Sequence, residues 1–403
     1  MTNLPQGWEV KTLSEIGEIV TGSTPSKSNL DFYGKDYPFF KPSDFEQGYF
    51  LENAGDNLSK LGFGKARQLP PKTILVVCIG SLGKVALTKV IGSCNQQINA
   101  IIPHKNIISE YIYYYCISSK FQSILFSKAP QTTLAILNKT EFSKLEIIYP
   151  KDIKEQERIV GILDFAFSKI DENIKKAKEN LANIDELMQS ALQKAFNPLN
   201  DNTKENYQLP QSWEWKSLGD TSNYGKTSQV KPSQLKGNDW ILELEDIEKE
   251  SGVLLQKVLF QDRQSKSNKI KFNKGDILFG TLRPYLKKVI IADDNGACSS
   301  EIMPFSTGNS ITNHFIYYYL FANFLHDRIS SLTYGARMPR LGTKDGKSLQ
   351  IPLPPLQEQE QIAEHLDFVF EKAKALKELY TKELKDYKEL KQSLLDKAFK
   401  GEL

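Results

Sequence analysis

Apolar residues recur through residues 151–197 at Leu163, Phe167, Ile170, Ile174, Ala177, Leu181, Ile184, Met188, Ala191 and Ala195. The steps alternate four and three without a break, which is the seam of a coiled coil held over more than four heptads. Lys175, Lys176, Lys178, Glu179, Asp185 and Glu186 lie between the seam positions as a solvated face. Asn197-Pro198 closes the pattern, because proline cannot continue a helix. The pattern predicts a rod of about 64 Å, at about 1.5 Å per residue. A rod of that length must lay its apolar seam against another helix.

The same chain supplies that helix. Glu155-Gln156-Glu157-Arg158-Ile159 returns as Glu358-Gln359-Glu360-Gln361-Ile362, Leu163-Asp164-Phe165 as Leu366-Asp367-Phe368, and Lys194-Ala195-Phe196 as Lys397-Ala398-Phe399. The second stripe runs Leu366, Phe370, Ala373, Leu376, Tyr380, Leu384, Tyr387, Leu390, Leu394, Ala398. Its steps are all three or four, so one face stays apolar while the strict heptad drifts.

Ahead of each rod lies a segment with a different period. Leu4-Pro5-Gln6-Gly7-Trp8-Glu9 returns as Leu209-Pro210-Gln211-Ser212-Trp213-Glu214, Thr73-Ile74-Leu75 aligns with Asp276-Ile277-Leu278, and Tyr113-Tyr114-Tyr115 with Tyr317-Tyr318-Tyr319. Short apolar strands flank turns in both. Ile74–Ile79 and Val85–Leu87 enclose Gly80–Lys84, and residues 276–280 and 287–291 enclose Thr281–Leu286. The expectation is a duplicated chain with two α+β domains and two long helices packed as an antiparallel coiled coil, related by a pseudo-twofold axis. Asn197–Gln208 reads as a polar linker, and Ile351-Pro352-Leu353-Pro354-Pro355 as a stiff extended joint.

Composition adds limits. At 403 residues, 40% apolar and 25% charged, the chain is ordinary globular protein of two or more domains. Its densest apolar run, Ile74–Ile79, is far below the ~18–20 residues of a membrane span, and residues 1–8 carry no signal pattern. Cys78, Cys94, Cys116 and Cys298 form no CxxC pair, which suits buried thiols in a reducing cytoplasm. His104, His314, His326 and His365 are scattered, so no zinc site is legible. The net charge of +3 resides on the globular segments, while both rods are slightly acidic. This is a weak sign of a nucleic-acid partner.

Catalytic motifs are absent. Gly80-Ser81-Leu82-Gly83-Lys84-Val85 lacks the spacing of a phosphate loop, and Val85 cannot ligate magnesium. Asp239, Glu243 and Glu245 resemble a carboxylate cluster, but the first half has no counterpart. No dinucleotide fingerprint, base-methylation tetrapeptide or nucleophile–base pair is present. Loops offer more. Gly22-Ser23-Thr24-Pro25-Ser26-Lys27 carries hydroxyls and a cation suited to phosphates, with Lys226 and Ser228 at the comparable place in the second half. Asn95, Gln96 and Gln97 bear amides of the kind that pair with adenine, and Arg337 and Arg340 guanidiniums of the kind that read guanine. Lys84, Arg283 and Tyr285, in the inter-strand turns, complete the candidate DNA contacts.

Taken together, LPxxWE at Leu4 and Leu209, Gly22-Ser23-Thr24-Pro25, Ile351–Gln359 leading into the second rod, and Ala398-Phe399-Lys400-Gly401-Glu402-Leu403 make the whole chain resemble the specificity subunit of type I restriction-modification systems. The first copy departs from the pattern at Tyr149-Pro150-Lys151-Asp152, which lacks the full proline run. The resemblance implies target-recognition domains at 1–150 and 199–353 and spacer helices at 151–198 and 354–403. It implies a chain that reads a split, asymmetric site on double-stranded DNA, in the cytoplasm and with no membrane association. Two methylation subunits would dock on it and restriction subunits would join them. S-adenosylmethionine, ATP and magnesium would serve those partners, with no cofactor bound and no catalysis performed by this chain. The competing reading is a coiled-coil scaffold without a DNA role, which leaves two diverged, polar-looped domains unexplained.

Overall fold

The computed structural model describes residues 4–129, 135–201, 207–263 and 265–403. The chain divides into two compact units, Met1–Ala177 with Lys382–Leu403, and Lys178–Thr381. The division falls inside both rods. Each unit therefore holds one globular domain, the first half of the helix that follows it in sequence, and the last half of the other helix.

In the first unit the core lies on a five-stranded sheet ordered Gly17–Thr21, Ile98–Pro103, Ile74–Val77, Val85–Thr88, Phe50–Leu51. Ile74–Val77 is buried at every position, as expected of a central apolar strand, with Ile74 facing Ile101 on one side and Leu87 on the other. A second sheet joins Asp56–Leu58, Tyr33–Phe40 and Ser93–Cys94. In the second unit Ile277–Gly280 takes the place of Ile74–Val77, between Val289–Ile291 and Ile302–Phe305. Beside it Gln229–Val230, Lys269–Phe272, Gly296–Cys298 and Trp240–Leu242 form a four-stranded mixed sheet. The α+β expectation holds in both units.

The rods form as the period predicted. The first helix spans Ile153–Phe196 and the second Leu356–Ala398. In the first unit Arg158 Nη2 donates to Leu403 O at 2.8 Å. Further along, Asp171 pairs with Lys391, whose ammonium lies 4.7 Å from the Phe167 ring centre. The two segments are antiparallel. In the second unit Asp185 pairs with Lys377, Ile184 and Met188 pack on Ala373, and Leu192 and Phe196 join a core with Leu366. These segments are antiparallel too.

Two details of the seam differ from expectation. Near its end the first helix buries Leu192 and Phe196 completely, both 0% exposed, while the seam positions Ala191 and Ala195 are partly buried against the same core. There the helix faces a domain core together with Leu366 of the second helix, and its fully buried positions fall at steps of four. On the second helix Leu376 and Leu390 point outward. The neighbouring Lys377 and Lys391 take the inner places, laying their aliphatic stems along the seam while their ammonium groups reach Asp185 and Asp171.

The foot of each domain is built twice with the same residues. Gln156 and Gln359 are 0% exposed. Gln156 accepts from Ile108 N at 2.9 Å and donates to Pro150 O at 2.9 Å. Gln359 accepts from Thr312 N at 3.0 Å and donates to Pro354 O at 2.8 Å and Ser310 O at 3.0 Å. Tyr114 donates to Asp164 and Tyr318 to Asp367. Burial first, and then the adjoining carboxylate, push both phenols far above their ordinary range, so they remain donors. Phe399 meets the edges of Tyr111 and Tyr115 at 5.5 and 5.0 Å, and Phe196 meets Phe315 and Tyr319, both at 5.1 Å. Each domain is thus closed by the terminal phenylalanine of the helix belonging to the other copy.

Candidate nucleic-acid interface

In the first unit the Gly22–Thr24 loop leaves the sheet and lies on Cys94–Gln96. Gly22 N donates to Ile98 O and Ser23 N to Cys94 O, each at 3.0 Å. A Cβ on Gly22 would stand 2.1 Å from Asn95 O, so only glycine permits this approach. Thr24 then donates to Gln96 Oε1 at 2.6 Å, and Arg67 N donates to Ser23 Oγ at 3.3 Å. Ser23, Thr24, Gln96 and the exposed Arg67 share one edge, with Lys27 exposed on the turn that follows.

Asn95 and Gln97 do not belong to that edge. Asn95 is 7% exposed. Its Nδ2 donates to Gln97 Oε1 at 2.8 Å and its Oδ1 accepts from Gln97 N at 3.1 Å, an Asx turn closed on itself. Gln97 Nε2 reaches Ile79 O at 3.4 Å. These amides hold the loop, with Asn95 buried and Gln97 half-buried. Lys84 is ion-paired with Glu46.

The second unit gathers more of the predicted residues. Thr333–Tyr334 and Arg340–Leu341 form a hairpin in which Tyr334 faces Arg340. The hairpin lies on the 281–286 turn. Leu341 N donates to Thr281 O at 2.9 Å, Arg283 N donates to Pro339 O at 2.7 Å, and Leu282 bridges Arg340. Arg283, Arg337, Arg340 and Tyr285 are therefore brought to one edge. Tyr285, Tyr334 and Met338 are 48%, 60% and 53% exposed there. Lys226 and Ser228 are exposed elsewhere. A turn at Gly225, with φ +82°, brings the chain beside Thr343 and Lys347.

Three residues of these edges escaped the sequence reading. Arg67 follows Lys60-Leu61-Gly62-Phe63-Gly64-Lys65, a glycine-punctuated basic run that was a usable signal. Tyr334 and Met338 gave none beyond their nearness to Arg337. The carboxylates singled out in the second half are engaged. Glu243 pairs with the buried Lys269 at 2.6 Å, and Asp239 accepts from Lys236 N at 2.8 Å. The neighbouring Asp246 is 0% exposed and holds Arg263 through two bonds of 2.7 Å. Burial raises the Asp246 carboxyl, but the hydrogen bonds from Arg263, the Glu243 N–H and Gln256, with the Arg263 charge, together outweigh it and keep the group below its ordinary range. Among the described residues no group of His, Cys, Asp or Glu could hold a metal ion. None of the described helices is long and apolar enough to cross a membrane.

Polar and basic loop residues, joined in the second unit by exposed aromatics, lie on a domain that is built twice over matching helical feet, and such surfaces are of the kind that contacts nucleic acid. The model of the type I restriction modification DNA specificity domain matches residues 5–183 and 210–385, once in each half, and the chain belongs to that family. It is similar to the HindI specificity subunit of Haemophilus influenzae, 39% identical over 176 residues, 42% of this chain and 38% of that protein. The chain thus aligns with less than half the length of that relative. With the EcoDI specificity subunit of Escherichia coli it is 23% identical over 424 residues, 99% of this chain and 89% of that protein. A chain from a solved structure concerned with complex assembly and conformational transition of the type I R-M system covers 100% of both chains, with TM-score 0.79 and 19% identity. That likeness shows the fold.

Proposed function

We propose that this chain is the DNA-reading subunit of a type I restriction-modification complex. It recognises a split site, one half-site per globular domain, and holds two methylation subunits, to which restriction subunits add. The reading is carried by one observation: the feet of the two domains repeat the buried glutamine, the tyrosine–aspartate bond and the closing phenylalanine, while their exposed edges do not repeat. Repeated feet suit two copies of one partner, and unlike edges suit two unlike half-sites. Methyl transfer with S-adenosylmethionine, and cleavage with ATP and magnesium, belong to the partners, and the assembly works in the cytoplasm.

The test is a gel shift of duplex DNA with the chain, its methylation partner, and both together, followed by mapping of methylated positions. Binding and methylation at a two-part asymmetric site, only when both proteins are present, is the expected result. Incorporation of labelled methyl groups by the chain alone would overturn the non-catalytic assignment.

A further inference from the structure

The 281–287 turn and the 333–341 hairpin of the second unit are held together by backbone bonds, and their backbone is unusual. Arg283 and Lys287 both occupy the left-handed region, at φ +50° and +46°. The corresponding turn of the first unit has Gly80 and Gly83 at its left-handed positions, at φ +83° and +89°. Glycine adopts this conformation without strain, whereas arginine and lysine do not. Strain retained at a loop needs a reason in the side chain. For Lys287 the reason is internal: it is buried and its ammonium donates to Phe321 O at 3.0 Å and to Asn323 Oδ1. The same Phe321 O accepts from Gln189 of the first rod helix at 3.3 Å, and Asn323 N donates to Gln189 Oε1 at 3.1 Å. The turn is thereby fastened to a rigid helix. Arg283 is exposed; its backbone is held by the bond from its N to Pro339 O of the hairpin and by the bond from Leu286 N to its carbonyl, and its side chain is left facing solvent beside the tip.

The hairpin tip carries the remaining anomaly. Gly335, at φ +94°, turns the chain so that Arg337 and Met338 stand at the summit, both exposed. A large thioether held in water beside guanidiniums is the combination that reads a base edge. Arginine pairs bidentately with guanine O6 and N7, and an apolar group contacts the thymine methyl.

We infer that the hairpin tip is the base-reading element of the second half-site, with Arg337 on a guanine, Met338 on an adjoining thymine methyl, and Arg283 on the phosphate backbone. The inference rests on the proposed function and adds the residues and the base content of one half-site. Double-stranded DNA is the ligand, entered from the major groove, and Lys287 is a positioning residue that keeps the turn on its helix.

The test uses the complete complex with the methylation partner and maps methylated sites across genomic DNA for the unsubstituted chain and for Arg337→Ala, Met338→Ala and Arg283→Ala. The unsubstituted second half-site should contain a guanine beside a thymine. Arg337→Ala should relax the guanine position roughly 10- to 100-fold, and Met338→Ala the thymine position by less. Met338→Leu should retain it, and the first half-site should stay unchanged in every variant. Arg283→Ala should weaken binding to all sequences alike and reduce the salt slope by about one. An unaltered motif in the tip variants, with partner binding intact, overturns the inference while leaving the function standing. So does a uniform loss of affinity in those variants. Absence of any two-part site with the unsubstituted complex overturns both.

Discussion

Gln122 of the first unit and His326 of the second occupy the same place in the duplication, each seven residues beyond a buried tyrosine, Tyr115 or Tyr319. Both donate to the carbonyl left open where two short helices meet. Gln122 Nε2 reaches Cys116 O at 2.6 Å, and His326 Nε2 reaches Leu320 O at 2.7 Å. An amide nitrogen has a second hydrogen, and Gln122 gives it to Gly83 O at 2.9 Å, tying down the inter-strand turn. Imidazole in this tautomer has none to give. In the second unit the tie is made by Lys287, which stands where the first unit has Gly83. The backbone demand is the same in both copies, and two linked residues changed to meet it differently. The feet show no such drift, because Gln156 and Gln359 must satisfy a donor and acceptors at once in a dry site, which few side chains do.

The largest test of this comparison removes the two closing rings. Phe196→Ala should destabilise the second unit and Phe399→Ala the first, each by about 3–5 kcal/mol, the usual cost of truncating a buried phenylalanine. Amide exchange should rise in residues 315–320 for the one and 111–117 for the other. A loss spread equally over both units by either substitution would break the one-ring-per-domain picture.

Acid should separate the units next. Burial first, and the nearby Lys287 second among the lowering influences, push His326 down to about 4. Its Nδ1 is buried with no partner, so a proton there would have no acceptor. In the unfolded chain the same group titrates near 6.5. The unfolded state therefore binds more protons between those values, and stability of the second unit falls as pH drops from about 6.5 to about 4. The loss is roughly 3 kcal/mol. His326→Gln, which copies the first unit, should abolish the difference in acid unfolding monitored by exchange. Its persistence would assign the acid sensitivity to another group.

Smaller and equal effects are expected at the feet. Gln156→Ala and Gln359→Ala each orphan a backbone N–H and two carbonyls, at about 1–3 kcal/mol. Exchange at Ile108 and Thr312 should report it. Asp164→Asn and Asp367→Asn weaken a charge-assisted bond at a half-open site and should cost about 1 kcal/mol in urea titrations. Unequal costs within either pair would show that the feet have diverged after all.

The rods and the duplication were legible in the sequence because a period near 3.5 and repeated motifs need no tertiary knowledge. Leu376 and Leu390 were misplaced because a lysine stem can fill a seam position and a pattern of apolar letters does not register it. The meeting of Arg283 with Arg337 and Arg340 was not legible. It depends on the Leu282–Arg340 bridge between distant segments, and loop pairing carries no periodic signal. Asn95 and Gln97 looked like base readers, yet asparagine bonds its own neighbouring backbone as readily as any ligand.

The crossing-over of the helix ends also sets an order of birth. The second unit, Lys178–Thr381, is one unbroken stretch of chain. Its closing ring, Phe196, leaves the ribosome before the domain it will seal. The first unit is made earlier, but its core includes Leu395, Ala398 and Phe399. At about 5–20 residues per second, those residues emerge some 10–50 s after Tyr149. During that interval Tyr111 and Tyr115 have no lid, and the domain synthesised first is the domain finished last. A nascent chain stalled before Leu395 should therefore present the first domain, rather than the second, to chaperones.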